Sequence, residues 1–253
     1  MTTAGKGGEP GGATRRPVVV VPTYDEASNV GPLVEQLLAL PEGLSVVLVD
    51  DASPDGTGEV ADALAARHPG RVWVIHRGAK KGLGTAYLEG MGRALSLGAT
   101  DVLTMDADFS HDPSHVPALL LAAAEADVVI GSRYVAGGGV LGSPPVRRFL
   151  SRGANLLAHA ALGLATRDAT AGFRLHRREP LEALPLGRVL SSGYSFPLEM
   201  TFLAERAGFR VTEVPILFRD RRHGRSKISR VEILRAAATV VRLALRRVSR
   251  RGR

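Results

Sequence analysis

The 253-residue chain contains no cysteine, so disulfide bonds, thiolate metal sites and cysteine nucleophiles are excluded. Its net charge of +8 is uneven: residues 219–253 carry 13 Lys or Arg and two acids, a balance of +11, which leaves −3 for the rest. This basic end indicates a polyanionic partner, either an anionic membrane surface, a phosphorylated substrate or nucleic acid.

The elements are predicted in chain order from their apolar periodicity. Residues 1–16 are rich in Gly and Thr and lack an apolar signal-peptide core, so a disordered tail and no export are expected. Short β-branched runs predict strands at 18–21, 46–49, 72–75, 102–105 and 128–130. The segments between them predict helices at 29–40, 58–68, 85–97 and 114–125, with Ser28, Thr57 and Asp112 as N-caps. This alternation predicts an α/β fold whose mostly parallel sheet is covered by helices on both faces.

The loops that follow the predicted strands carry the polar residues. They span residues 22–26, 50–57, 80–85 and 106–110, which should meet at the ligand-binding edge of such a sheet. Asp106 and Asp108 stand one residue apart there, and hard oxygen donors of this kind suit Mg²⁺ or Mn²⁺ bridging a diphosphate. Taken alone, the pair also fits a solvated turn. His111 and His115 lie nearby, but capping or surface roles suit them better than metal binding.

The segment 80–86, Lys-Lys-Gly-Leu-Gly-Thr-Ala, could face a phosphate with backbone N–H groups and lysine charge. It is neither a dinucleotide fingerprint, because Tyr87 stands at the third glycine position, nor a Walker loop. A dehydrogenase or a P-loop NTPase is therefore disfavoured.

Two later segments complete the predicted organisation. Residues 137–145 are too rich in Gly and Pro for regular structure, which predicts a mobile flap or an ordinary linker, flanked by arginines at 133, 147 and 148. Residues 231–248 predict a basic amphipathic helix, with an apolar face that includes Val241 and Leu245 and a polar face that includes Arg242 and Arg246. This helix is expected either to lie in an anionic lipid interface or to pack on its own domain with a solvated Arg face. No run reaches the ~18–20 apolar residues of a membrane span.

Several short motifs together resemble a known family. They are Pro22-Thr-Tyr-Asp-Glu26, the segment from Val49 to Thr57, the Gly82 turn, Asp106-Ala-Asp108, Gly131-Ser-Arg-Tyr134, Ser151-Arg-Gly-Ala-Asn155, Ala171-Gly-Phe-Arg174, Glu213-Val-Pro215 and Gly224-x-Ser226-Lys227. In this order they resemble inverting GT-A glycosyltransferases of family 2, and more narrowly the dolichol-phosphate or polyprenol-phosphate mannose synthases. The resemblance runs from about Pro17 to Lys227. It implies a GT-A, Rossmann-like domain at 17–227 between the tail at 1–16 and the basic amphipathic helix and tail at 228–253.

The resemblance also implies roles for individual residues. The nucleoside would be held by Pro22, Tyr24, Glu26, Val49 and Asp50, although turn or cap chemistry is the alternative for Glu26 and Asp50. The divalent ion would be held by Asp106, Asp108 and Ser110, beside the backbone of Met105 and Ala107. Phosphate groups would be bound by Arg133, Arg147, Arg221 and Lys227, with Arg148 as the alternative to Arg147. The catalytic set implied is Asp108, Arg133, Arg221 and Lys227.

The implied reaction transfers mannose from GDP-mannose to a polyprenyl (dolichyl) phosphate with inversion, assisted by Mg²⁺ or Mn²⁺. The chain would act as a peripheral protein at the cytoplasmic face of a membrane, with a separate membrane-anchoring protein as a further partner.

Three alternatives remain open from the residues. A related enzyme would use UDP-glucose, because the acidic pairs would be similar for either nucleotide. A nucleic-acid-binding protein would explain the basic end but not the acidic strand ends, so no nucleic-acid partner is predicted. A non-catalytic scaffold would keep the fold without binding metal.

Overall fold

A seven-stranded sheet forms the centre of the protein in a computed structural model that describes residues 15–142, 145–191, 193–219 and 230–249. For residues 145–150, 154, 194, 230–235, 248 and 249 only the backbone is described. The sheet strands are β1 (Pro17–Thr23), β2 (Ser45–Asp50), β3 (Val72–His76), β4 (Asp101–Thr104), β5 (Val128–Ser132), β7 (Arg174–Arg177) and β8 (Val211–Pro215). Their order is β3-β2-β1-β4-β7-β5-β8, and only β7 is antiparallel to its neighbours. The mostly parallel α/β fold is confirmed.

The helices are α1 (Ala27–Ala39), α2 (Thr57–Arg67), α3 (Leu83–Ser96), α4 (Val116–Ala122), α5 (Pro145–Leu162), α6 (Arg178–Ala183), α7 (Phe196–Arg206) and α8 (Arg230–Ser249). Two predicted caps are wrong: α1 starts after Glu26 rather than Ser28, and Thr57 is already helical because Gly56 takes the cap position. Asp112 does accept a hydrogen bond from the Ser114 N–H, but it opens a 3₁₀ turn that precedes α4. Helix existence was therefore predictable, whereas the terminal residues were not.

Both faces of the sheet are buried, which explains the continuous valine runs. In β1, Val19 and Val21 point to the side covered by α1, α2 and α4, whereas Val18 and Val20 point to the side covered by α3 and α7. A strand whose side chains alternate between two dry faces needs apolar residues at every position.

Gly90 lets α3 approach the sheet closely. A Cβ at this position would overlap Val20 Cγ1 and lie 3.0 Å from Val49 Cγ2. We expect Gly90→Ala to lower the free energy of unfolding by about 1–3 kcal/mol through overpacking. Gly92→Ala, in the same helix with open space around it, is the matched control and should stabilise by about 0.5–1 kcal/mol. Urea denaturation of both variants checks this; equal effects would contradict the close packing.

A second, two-stranded sheet corrects one prediction. β6 (Gly139–Leu141) pairs in parallel with β9 (Leu217–Arg219), so residues 139–141 are regular structure rather than a flap or linker. The prediction failed because the partner strand is distant in sequence. α5 then begins at Pro145, where proline is tolerated in a first helical turn.

The terminal helix exists as predicted, but it packs through a different face. Leu243 is fully buried in a cluster with Leu198 and Phe202 of α7, and Arg242 donates to the fully buried Glu199 at 2.9 Å. Val241 and Leu245, on the predicted apolar face, are 59% and 67% exposed. The expectation of a solvated Arg face is therefore wrong for Arg242, because a buried carboxylate requires a cationic partner. Among the helices of the described ranges, none combines the length and apolar character needed to cross a bilayer.

Candidate active site

The polar loops after β1, β2 and β4 lie together at one edge of the sheet, as predicted. The three strands are adjacent, in the order β2-β1-β4, and all run in the same direction. The backbone of the β1 and β2 loops is joined by side chains: the Glu26 N–H donates to Thr57 Oγ1 at 2.9 Å and the Ala27 N–H to Asp55 Oδ2 at 3.1 Å. These bonds give the edge a fixed shape before any ligand binds.

Asp106 and Asp108 follow β4 at this edge. The Tyr87 hydroxyl donates to Asp106 Oδ1 at 2.8 Å, and the Ser110 N–H donates to Asp108 Oδ1 at 3.0 Å. Phe109, between Asp108 and Ser110, has a φ of 58°, a left-handed conformation that turns the chain sharply. Ser110 Oγ is buried and has no hydrogen-bond partner among the described residues.

These oxygens fit a divalent cation as part of its coordination shell. Within the described ranges, no group of three His, Asp or Glu side chains is placed to hold a metal ion alone. Two carboxylates and an unpartnered hydroxyl are hard donors of the type that Mg²⁺ and Mn²⁺ prefer. The donor set suits an ion that takes its remaining ligands from a bound anionic molecule.

Tyr87 orients Asp106 and was missed as a site residue by sequence reasoning. Its ring is 1% exposed and stacks on Phe196 with centroids 5.8 Å apart. Burial, followed by the charge of Asp106, raises the pKa of Tyr87 well above its usual value, so the hydroxyl stays a donor. The signal available in the sequence was its place one turn into α3, directly after the glycine-rich segment.

His111 supports the same loop from within. Its ring is 3% exposed, stacks on Phe173, and accepts a hydrogen bond from the Asp106 N–H through Nδ1 at 3.3 Å. Burial lowers the pKa of His111 despite the nearby carboxylates, which keeps the imidazole neutral. The surface role expected as one option for His111 is therefore wrong, whereas its hydrogen bond from a backbone N–H corresponds to the capping option.

Asp50, the last residue of β2, and Asp51, which follows it, have different hydrogen-bond partners. Asp50 accepts hydrogen bonds from the Ser53 N–H at 3.2 Å and from Thr23 Oγ1 at 3.3 Å. Asp51 accepts from the N–H groups of Lys81 and Gly82 at 3.0 and 3.1 Å, and its Oδ1 lies 2.9 Å from Arg77. Asp51 therefore holds the glycine-rich segment in place, a role that the sequence did not reveal.

Of the remaining predicted nucleoside residues, Pro22, Tyr24 and Glu26 are partly exposed at the same edge, and Val49 is not. Lys80 Nζ lies 3.3 Å from the centroid of the Tyr24 ring, and Glu26 Oε2 accepts from Asn29 Nδ2 at 2.7 Å. Pro22 is half-buried, whereas Val49 is fully buried in the core. The side chains of Met105 and Ala107 are also buried, so these two and Val49 can contribute only backbone groups to a ligand.

Arg133 forms a buried ion pair that the sequence did not predict. Its Nε and Nη2 each donate to the fully buried Asp168 at 2.7 Å. Burial lowers the pKa of Arg133, but the hydrogen bonds and charge of Asp168 outweigh this and raise it overall. The Asp168 N–H in turn donates to Glu213 Oε1 at 2.9 Å. Arg133 is thus held in a fixed orientation by a bidentate ion pair.

Arg174 anchors the segment that faces Asp106. Its guanidinium is buried and donates to the carbonyls of Ala169 and Ala171 and to Thr201 Oγ1. Burial lowers its pKa to about 10, so it remains charged at neutral pH. A Cβ at the neighbouring Gly172 would lie 3.8 Å from Asp106 Oδ2, which shows how closely this segment approaches the site.

Three predicted phosphate-binding residues fall outside this description. Arg221 and Lys227 lie outside the described residues, and only the backbone of Arg147, in α5, is described.

Comparison with known proteins supports the resemblance. The model of glycosyl transferase family 2 matches residues 18–184. Polyprenol monophosphomannose synthase of Mycolicibacterium smegmatis is 44% identical over 92% of this chain and 88% of its own length. Undecaprenyl-phosphate mannosyltransferase of Micrococcus luteus is 43% identical over 91% of this chain and 94% of its own.

A solved structure supports the fold. Glucosyl-3-phosphoglycerate synthase of Mycobacterium tuberculosis, in complex with Mn²⁺, UDP and phosphoglyceric acid, superposes with a TM-score of 0.67 at 19% identity. The match covers 91% of this chain and 78% of that one. The fold, the family match and the two close relatives agree. The chain is a glycosyltransferase and belongs to family 2, in the group of the polyprenyl-phosphate mannose synthases.

Proposed function

We propose that the protein transfers mannose from GDP-mannose to a polyprenyl phosphate with inversion, giving polyprenyl phosphate mannose and GDP. One observation carries the substrate assignment: the chain matches a polyprenol monophosphomannose synthase at 44% identity over 92% of its length. The carboxylates at the end of β4 support it, because they fit the divalent ion that a nucleotide diphosphate sugar requires.

Asp106, Asp108 and the Ser110 hydroxyl would hold Mg²⁺ or Mn²⁺. When bound, such an ion neutralises the charge that develops on a departing diphosphate. Tyr87 keeps Asp106 in place through its 2.8 Å hydrogen bond, and the Ser110 N–H does the same for Asp108. The chain's own contribution is therefore a set of oxygens held in orientation by buried donors.

The acceptor needs positioning more than activation. A phosphate monoester with a second pKa of about 6 is largely ionised at neutral pH, so its oxygen can attack without a dedicated base. Two anionic substrates repel each other, and we assign Arg133, Arg147, Arg221 and Lys227 to holding them together. Asp168 pre-orients Arg133 for this task.

The nucleoside is assigned to the edge formed by β1 and β2. Asp50 is 4% exposed, and its hydrogen bonds from Thr23 and Ser53 fix the carboxylate. We propose that Asp50, Tyr24 and Glu26, with the backbone of Pro22 and Val49, bind the guanosine. Lys80, which covers the Tyr24 ring, would move aside if the base stacks there.

Membrane contact is proposed through α5 and α8, which pack against each other. Leu156 and Leu157 of α5 are 68% and 66% exposed, and Val241 and Leu245 of α8 are exposed as well. Apolar side chains in a basic region suit a peripheral site on the anionic cytoplasmic leaflet. A separate membrane-anchoring protein would be a further partner on this side.

Replacing Val241 and Leu245 together by serine should weaken binding to anionic vesicles about tenfold or more, since each side chain contributes about 1.5–3 kcal/mol when buried. Stability should not change, because neither side chain packs in the core. Vesicle sedimentation measures the effect, with Leu121→Ser as control, since Leu121 of α4 is 78% exposed on the other side of the sheet. Equal sedimentation of all three proteins would contradict the proposed membrane interface.

Deleting α8 is a poorer test, because the deletion would uncover Glu199 and the cluster around Leu243.

The experiment that tests the function compares donors. Purified protein is mixed with polyprenyl phosphate, a divalent ion and radiolabelled GDP-mannose or UDP-glucose in parallel, and label extracted into organic solvent is counted. Label from GDP-mannose is expected. Label from UDP-glucose alone would leave the assignment of the fold and the site unchanged, but it would identify the protein as the alternative glucosyltransferase. Absence of label from both, with no nucleotide-sugar binding, would refute the proposal.

A further inference from the structure

A cavity of about 570 Å³ lies beside α5, and neither Asp106 nor Asp108 is among the described residues that line it. One wall is a face of α5 formed by Arg152, Asn155, Leu156 and His159, and the other is the loop with Ala165 and Arg167. Tyr134 also lines the cavity, and its hydroxyl is 2.7 Å from Ser151 Oγ. The volume falls within the ~300–1,000 Å³ of small-molecule sites and exceeds what a bare phosphate needs.

The charge in the cavity is positive and uncompensated by its lining. Arg152 and Arg167 are exposed, and neither forms an ion pair with a carboxylate in the described ranges. None of the described residues that line the cavity is acidic. Two guanidinium groups facing one cavity suit a phosphate, because charge-assisted hydrogen bonds to it are strong.

The nearby acidic residues serve the loop instead. Glu205 accepts from the Ala165 and Thr166 N–H groups at 2.8 and 3.0 Å, and Glu213 accepts from the Arg167 N–H at 2.8 Å. His159 Nδ1 lies 3.4 Å from the Thr166 carbonyl oxygen. These bonds fix the backbone of the loop, so the cavity wall is formed before a ligand arrives.

The cavity also has an apolar edge that opens outward. Leu156 lines it and is 68% exposed, and Leu157 beside it is 66% exposed. α8, which packs on α5, adds the exposed Val241 and Leu245. If the phosphate between Arg152 and Arg167 belongs to a phospholipid, its acyl chains would run along this apolar surface. A free phosphate has no group that would contact the surface.

Asn155 adds a hydrogen-bond acceptor. Its Nδ2 donates to the Ser151 carbonyl and to Thr170 Oγ1, whereas its buried Oδ1 has no partner in the part of the chain that the structure describes. An unpartnered buried acceptor is unfavourable, and a ligand hydroxyl would satisfy it.

We propose that this cavity binds the headgroup of a membrane phospholipid that carries both a phosphate and hydroxyl groups, as a site separate from the acceptor. The proposal rests on the membrane contact assigned above. The lipid would hold α5 against the bilayer and so keep the acceptor side of the active site facing the membrane.

Calorimetry with dihexanoyl phosphatidylglycerol, kept below its micelle concentration, tests the proposal without donor or acceptor. Saturable binding is expected, and Arg152→Gln with Arg167→Gln should weaken it about tenfold or more, since hydrogen bonds to charged groups are strong. Arg93→Gln, which changes an exposed arginine of α3, is the control for charge and should bind like the unaltered protein. Inorganic phosphate and glycerol 3-phosphate should bind much more weakly.

Three results would overturn the proposal. The first is no saturable binding, or the same loss in the Arg93 variant. The second is equally tight binding of inorganic phosphate or glycerol 3-phosphate, which would make the cavity a site for soluble anions. The third is a raised KM for a short, water-soluble polyprenyl phosphate, assayed without membranes, in the double variant, which would make the cavity part of the acceptor site. Because binding is measured apart from turnover, failure here is distinguishable from failure of the proposed transferase activity.

Discussion

Asp108→Asn should lower turnover at least about 10²- to 10³-fold, the scale seen when one electrostatic contact to a transition state is removed. The carboxylate is 5% exposed at the strand end, and an amide can still accept from the Ser110 N–H through its oxygen. The fold should therefore persist while the charge is lost. Steady-state rates over a range of Mn²⁺ concentrations measure the effect on activity, and electron paramagnetic resonance of free Mn²⁺ measures binding independently.

Asp112→Asn is the matched control for this change. Asp112 lies four residues further on, caps the 3₁₀ turn through the Ser114 N–H, and can be replaced by asparagine as a cap. Its variant should bind Mn²⁺ and turn over normally. Unchanged Mn²⁺ affinity and turnover in Asp108→Asn would show that the strand-end carboxylates are not the metal site.

Asp168→Ala should produce the largest loss of stability, about 3–5 kcal/mol, because it leaves the Arg133 guanidinium buried without its partner. Asp168 is fully buried, and the Arg133 side chain is 15% exposed. Urea denaturation measures the loss. Since Arg133 also loses its fixed orientation, activity should fall under conditions in which the variant is still folded.

Asp62→Ala provides the comparison for an exposed pair. Asp62 lies 2.8 Å from His76, with both side chains at least half exposed, so its removal should change stability by about 0–1 kcal/mol. The combined change of Arg133→Met and Asp168→Leu should recover part of the stability, because it leaves no unpaired charge, but none of the activity. Equal losses for Asp168→Ala and Asp62→Ala would contradict the buried-pair account.

The edge of the sheet was predictable from the sequence for a definite physical reason. Parallel strands end on the same side, so Asp50 and Asp106, each placed after an apolar run, had to come near each other. The reversed strand β7 was not predictable in this way, since its four residues, Arg174–Arg177, show no apolar run.

Pairs of residues distant in the chain were also beyond sequence reasoning. Arg133 and Asp168 are 35 residues apart, and nothing local marks them as partners. Asp51 and Arg77 were missed for the same reason. Their positions follow from the tertiary fold, which brings the β2 and β3 loops together.

The docking of α8 shows where hydrophobic periodicity misleads. The apolar stripe with Val241 and Leu245 stays exposed, because Arg242 on another face pairs with Glu199. A glutamate inside the otherwise apolar segment of α7 was the available signal, since a buried carboxylate requires a partner from elsewhere.

The structure of the lipid product tests the proposed mannosyl transfer directly. Purified protein, polyprenyl phosphate, GDP-mannose and Mg²⁺ would be incubated, and the extracted lipid examined by mass spectrometry and by NMR of the anomeric centre. We expect one added hexose, identified as mannose and attached through phosphate in the β configuration. An α-linked product, a different sugar, or a lipid that gains no hexose while GDP-mannose is bound would contradict it.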